Sequence, residues 1–98
     1  MARFTTRVEL HNGTGEDYNA LHDAMESAGF SRLIQGSDGV WHHMPWAEYN
    51  LDANVAIETV RDRASQAAAA TGCKAGVLVT EGTRAWVGLE IATAPANR

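Results

Sequence analysis

The sequence predicts a small α+β domain, with an antiparallel sheet that carries two helices on one face. Three observations lead there. Residues 3–11, RFTTRVELH, alternate with a period of two: Phe4, Thr6, Val8 and Leu10 point one way, and Arg3, Thr5, Arg7, Glu9 and His11 the other. That is the pattern of a strand with one buried and one open face. Two longer segments instead repeat apolar residues at spacings of three and four, the mark of amphipathic helices. Between and after them stand short apolar runs broken by Gly-containing turns, giving the order β-α-β-β-α-β-β.

Each element has local support. Asn12-Gly13 ends the first strand, Thr14 is a good N-cap, and Asp17 completes an approximate capping box with aspartate in place of Glu or Gln. The first helix carries Tyr18, Leu21, Met25 and Ala28 as one stripe. Gly29 stops it, because a residue without Cβ takes the left-handed conformation there without a clash. Residues 31–35 read as a strand, Gly36-Ser37-Asp38-Gly39 as a turn, and residues 40–49 as a second strand, making a central hairpin. Residues 50–54 then form a link, with Asp52 or Asn54 capping the second helix. That helix turns Ile57, Val60, Ala64 and Ala67 inward, runs through the favourable Ala67-Ala68-Ala69-Ala70 segment and closes at Gly72. Residues 75–80, AGVLVT, read as a buried-type strand, Glu81-Gly82-Thr83 as a turn, and residues 84–91 as the last strand. Residues 92–98, ATAPANR, are expected to fray.

The economical arrangement is a ferredoxin-like β-α-β-β-α-β(-β) sandwich with right-handed crossovers. Its expected core is Phe4, Val8, Leu10, Leu21, Met25, Val60, Val77, Val79, Val87 and Leu89, so Val87→Ala should cost about 1–3 kcal/mol. A chain of 98 residues with 45% hydrophobic content fits a single domain that needs no metal or disulfide staple. No run approaches the ~20 apolar residues of a membrane span, and the opening MARFTTRVEL is not a signal peptide. Cys73 is the only cysteine, so a cytoplasmic setting is expected. The net charge of -4, from 12 acidic and 8 basic residues, does not suit a protein that coats nucleic acid. Any RNA contact must come from a local patch.

The open sheet face supplies such a patch: Arg3, Arg7 and His11 from the first strand, Arg84 and Trp86 from the last. Sheet-based RNA binders stack a base on an aromatic ring and hold phosphates with guanidinium groups. The same residues suit a homodimer interface, where Trp and Arg are also enriched, and the two uses can coexist. Other signals are weaker. The neighbouring His42 and His43 point to opposite faces of a strand, and no cysteine or carboxylate stands at ligand spacing nearby. Local hydrogen bonding suits them better than a metal, and no cofactor is expected. Cys73 lies past a helix C-terminus, where the dipole disfavours a thiolate.

Several stretches together resemble the GhoS-type endoribonuclease antitoxins of type V toxin–antitoxin systems. They are ARFTTRVELHN, YNALHDAMESAGFSRLI, the DG turn followed by MPWAEY, and VLVTEGTRAWVGL, and the resemblance runs to about Ile91. That family is similar in fold to the CRISPR-associated Cas2 proteins, and it implies cleavage of the messenger RNA encoding a small membrane-damaging toxin. Gly29, Phe30, Ser31 and Arg32 match its helix-to-strand junction, and Asp38, Gly39, Pro45, Glu48 and Tyr49 its hairpin. The resemblance implies Arg32 as the cation on the scissile phosphate, with His43 or His22 as the proton carrier. Arg3, Arg7, Arg84 and Trp86 would then bind single-stranded RNA. Arg32 has a plainer reading as an exposed partner of Glu48 or Asp38 across the hairpin. The metal-binding aspartate of the Cas2 relatives has no counterpart, His11-Asn12 standing in its place, so the expected reaction is metal-independent. The acidic excess suits a different class, a non-catalytic module such as a phage or mobile-element inhibitor that binds a protein of a defence complex.

Overall fold

The computed structural model describes residues 1–92 as seven elements. They are β1 (Ala2–Leu10), α1 (Gly15–Ser27), β2 (Leu33–Gln35), β3 (Trp41–His43), β4 (Glu48–Ala53), α2 (Ile57–Ala69) and β5 (Ala75–Glu81). β1 is the middle strand of an antiparallel sheet in the order β4-β1-β5. Its register sets Thr6 opposite Tyr49 and Val79, and Val8 opposite Val77, on the inner face. On the outer face Arg3 stands opposite Asp52, Thr5 opposite Asn50 and Thr80, and Arg7 opposite Glu48 and Leu78. The alternation of β1 is therefore kept in space, with Phe4, Thr6, Val8 and Leu10 buried and Arg3, Arg7 and Glu9 exposed.

Both helices join the inner face. Leu21 and Met25 of α1 and Val60, Ala64, Ala67 and Ala68 of α2 form one core with Phe4, Val8, Leu10, Phe30, Tyr49 and Leu51. The alanines present little bulk, so α2 can lie close on the sheet. The capping box at the start of α1 is made as expected: Asp17 N–H donates to Thr14 Oγ1 at 3.2 Å, and Thr14 N–H donates to Asp17 Oδ2 at 2.9 Å. The bond from Thr14 N–H, with the Thr14 side chain next in effect, holds the Asp17 carboxyl below its ordinary pKa. Gly29 adopts φ +97°, and Phe30 N–H folds back onto the Met25 carbonyl at 3.0 Å while its ring enters the core. α2 starts later than expected. Asp52 is still paired inside β4, and the N-cap is Ala56, with no side-chain bond.

The strand expected over residues 40–49 is two strands. Pro45 offers no N–H to a ladder and Ala47 has φ +60°, so the pleat breaks between β3 and β4. β4 then leaves the hairpin to pair with β1, and residues 50–53 are strand rather than link. β2 and β3 make a two-stranded sheet of their own. It is tied to the larger sheet by a bridge at Ser31 and Asn50, with N–H···O bonds of 2.8 and 2.7 Å.

The largest correction lies after β5. No strand forms over residues 84–91 beyond a single bridge between Ile91 and His42. The chain instead crosses the outer sheet face to the far side of β3, where His43 N–H donates to the Glu90 carbonyl at 2.8 Å and Ala92 N–H to the Trp41 carbonyl at 2.9 Å. Polar anchoring of Arg84 outweighs the apolar alternation of this segment. Val87 is 94% exposed rather than core, and Ile91 is exposed as well. Val77 and Val79 are half-buried against the core, and Leu89 is half-buried. Ala92 is buried rather than frayed; the rest of the expected tail lies outside the described residues. Among the described residues no helix is long and apolar enough to cross a membrane.

Candidate functional site

The crossing segment bounds one side of a cleft of about 590 Å³ over the outer sheet face. Its floor is Arg3 of β1 with Asn50 and Asp52 of β4. One wall is the β2–β3 hairpin, with Asp38, Trp41 and His42, and the other is Arg84 and Trp86. The hairpin turn is rigid where it meets the cleft. Asp38 Oδ1 accepts from Val40 N–H at 3.0 Å. A Cβ on Gly36 would stand 2.9 Å from that same oxygen, closer than the turn allows without a shift, and in ordinary contact with the Trp86 ring at 3.6 Å.

Arg84 pins this wall to the floor. Its Nη1 donates to Asn50 Oδ1 at 2.6 Å, to the Phe4 carbonyl at 3.1 Å and to Thr5 Oγ1 at 3.3 Å. Its Nη2 lies 3.8 Å from Asp52 Oδ1. Burial lowers the Arg84 pKa and Asp52 opposes that shift, so the guanidinium stays a cation. Asn50 in turn donates from Nδ2 to the Leu33 carbonyl at 3.2 Å, linking the two sheets. Arg84 is thus spent on structure, and Arg3, on the floor, is the exposed cation of the cleft. Arg7 is exposed on the same sheet face but does not line the cleft, and His11 sits beyond it, 3.9 Å from Glu9.

His42 is the histidine of the hairpin wall. Its Nδ1 bonds the Leu89 carbonyl at 3.1 Å. A carbonyl only accepts, so Nδ1 carries the proton and Nε2 of the neutral ring carries the lone pair. Trp86 stands edge-on to the ring at 5.8 Å. The local hydrogen bonding expected of this histidine is therefore present.

The expected catalytic residues stand elsewhere. His22 is 5% exposed on the inner side of the sheet and shares a 2.7 Å Nδ1–Oη bond with Tyr49. Trp46 closes over it edge-on at 4.9 Å and leans on Tyr18 at 5.6 Å. Burial, with the Arg32 charge behind it, lowers the His22 pKa, and burial pushes the Tyr49 phenol up to about 12. His22 thus lies across the sheet from the cleft, and Arg32 does not line the cleft either. Among the described residues Arg32 forms no salt bridge, to Glu48, Asp38 or any other carboxylate. His43 is exposed on β3 and is absent from the cleft lining. Arg3, Arg84 and Trp86 do come together; Arg32, His22 and His43 do not join them. Trp41, His42 and Asn50 were missed as site residues. The one sequence signal for them is the polar WHH run in a strand, which alternation alone does not orient.

Among the described residues, no group of three or more His, Cys, Asp or Glu side chains is placed to hold a metal ion. No protein-family model matches this chain. No curated protein matches it either.

Proposed function

We propose that the protein is a GhoS-like antitoxin, a small endoribonuclease that binds single-stranded RNA, such as the messenger of a small membrane toxin, in the cleft and cleaves it without metal. The observation that carries this reading is the cleft itself, in which two indoles, Trp41 and Trp86, flank a floor bearing the exposed Arg3. Aromatic faces stack bases with little regard to sequence, and an arginine holds phosphate by a bidentate fork. The sequence resemblance supports the same reading. So does the topology. Taken through the Ser31–Asn50 bridge, the strands run β5-β1-β4-β2-β3, a ferredoxin-like order with β3 and the crossing segment added at one edge.

Charge sets the expected affinity. Asp38 and Asp52 share the cleft with Arg3 and Arg84, so binding is weak and falls with salt according to the few phosphates neutralised. The test is incubation of the purified protein with single-stranded RNA, with and without EDTA. Cleavage in both supports the reading; RNA left intact under both conditions and with added divalent metal removes it. The binding-module reading would then take its place, carried by α1, which has Glu16, Asp17, Asp23 and Glu26 and no lysine or arginine.

A further inference from the structure

We infer that His42, rather than His43 or His22, is the general base of the cleft, taking the 2′-hydroxyl proton of a bound ribonucleotide. The inference rests on the RNA-cleaving reading and deepens it by naming the residue and the products. Three observations carry it. The tautomer is set by the Leu89 carbonyl, 3.1 Å from Nδ1, which leaves Nε2 as the acceptor. The ring lines the same cleft as Arg3, Trp41 and Trp86. The backbone on both sides of it is clamped, by His43 N–H on the Glu90 carbonyl and by Ala92 N–H on the Trp41 carbonyl. A base needs a lone pair held in position before the substrate arrives, and none of the other three histidines meets that need: His11 lies outside the cleft lining beside Glu9. His22 is enclosed beneath Trp46 with Nδ1 engaged by Tyr49, and His43 lies outside the cleft.

The step balances without a redox partner. Nε2 takes the proton as the 2′-oxygen attacks the adjacent phosphorus. The P–O5′ bond breaks, leaving a 2′,3′-cyclic phosphate on one fragment. The departing 5′-oxygen takes a proton from water, and His42 returns its own to solvent, so no net proton is consumed. The bond from Nδ1–H to Leu89 strengthens as the ring becomes positive, and Arg3 supplies the cation for charge developing on phosphorus. A strand lacking the 2′-hydroxyl can bind but cannot react.

The experiment compares wild type, His42→Gln, His43→Gln and His42→Ala on a single-stranded RNA oligonucleotide. It measures cleavage rate, binding through tryptophan fluorescence, and fragment masses. The glutamine amide can still donate to the Leu89 carbonyl. We expect His42→Gln to slow cleavage by about 10²–10⁴-fold with binding unchanged, and His43→Gln to cleave like wild type. Fragments should end in 2′,3′-cyclic phosphate, an oligonucleotide with 2′-deoxyribose at the cut site should bind uncut, and free imidazole should partly restore His42→Ala, which a purely structural role does not allow. Wild-type cleavage matched by His42→Gln, or fragments ending in 3′-hydroxyl, would overturn the assignment of His42 while leaving RNA cleavage standing. A wild type that never cleaves overturns the underlying reading and the inference with it.

Discussion

Replacing Arg84 with methionine keeps the apolar stem and removes the guanidinium that holds residues 83–92 to the sheet. The structure sets the magnitude. Asn50 loses a 2.6 Å charged partner and is itself only 9% exposed, a loss of about 1.5–3 kcal/mol for a hydrogen bond to a charged group. The bonds to the Phe4 carbonyl and Thr5 hydroxyl, at 3.1 and 3.3 Å, are longer and contribute less. The 3.8 Å approach to Asp52 is half-exposed and adds little. Together the cost is roughly 2–4 kcal/mol, or on the order of 10–20 °C in Tm for a domain of this size. Guanidinium denaturation followed by far-UV circular dichroism measures it. Arg3→Met is the control: Arg3 is exposed, so its replacement should stay within about 0.5 kcal/mol. Equal, small effects at both positions would refute the assignment of Arg84 as the pin and of Arg3 as the cation left for a ligand.

Three further outcomes are expected. Val87→Ala should change stability by less than about 0.5 kcal/mol, since the side chain is 94% exposed; a loss of 1–3 kcal/mol would restore it to the core. Stability should also depend on pH at both ends. His22 is held below the ordinary histidine value of 6.5, so between the two values the unfolded chain binds more protons. Stability is therefore full above about 6.5 and falls as pH drops below it. Tyr49 is raised from 10.0 to about 12, so its contribution is complete below pH 10 and is lost toward 12. Denaturation of His22→Phe and Tyr49→Phe across pH should show the acid slope lost in the first and the alkaline slope in the second; unchanged slopes would show that other groups govern them. Finally, β5 is an edge strand carrying Leu78 at 65% exposure, and free strand edges template pairing. We propose that it pairs with β5 of a second copy, giving a dimer by sedimentation at tens of micromolar that Leu78→Lys abolishes; a wild-type monomer at that concentration removes the proposal.

Much of the fold is legible in the sequence because local and tertiary preferences agree there. β1 alternates and is paired on both sides, so its pattern has one consistent use. The Thr14–Asp17 box and Gly29 bracket α1, and the burial of Leu21 and Met25 follows from their spacing. Where the preferences conflict, sequence reading fails. Residues 84–91 alternate like a strand, yet alternation cannot report that Arg84 has Asn50, Thr5 and the Phe4 carbonyl waiting beneath it. Residues 40–49 look continuous because Pro45 is one residue among ten and the positive φ of Ala47 carries no composition signal. Of the site, Arg3, Arg84 and Trp86 are legible as polar or aromatic residues at outward positions. His42 is not, because the fixing of its ring depends on the Leu89 carbonyl, 47 residues away. Arg32, His22 and His43 are candidates through the resemblance alone, and none of them lines the cleft.

The three tryptophans divide between the two sides of the molecule, Trp41 and Trp86 in the cleft and Trp46 over His22. A magnetic-resonance titration of isotope-labelled protein with a short single-stranded RNA therefore tests most directly the proposal that the cleft binds RNA. The indole N–H signals of Trp41 and Trp86 and the side-chain amide of Asn50 should shift together with added RNA and return with salt, while Trp46 stays in place. Shifts centred on Trp46 and Tyr49, or none at all at millimolar RNA, would contradict it.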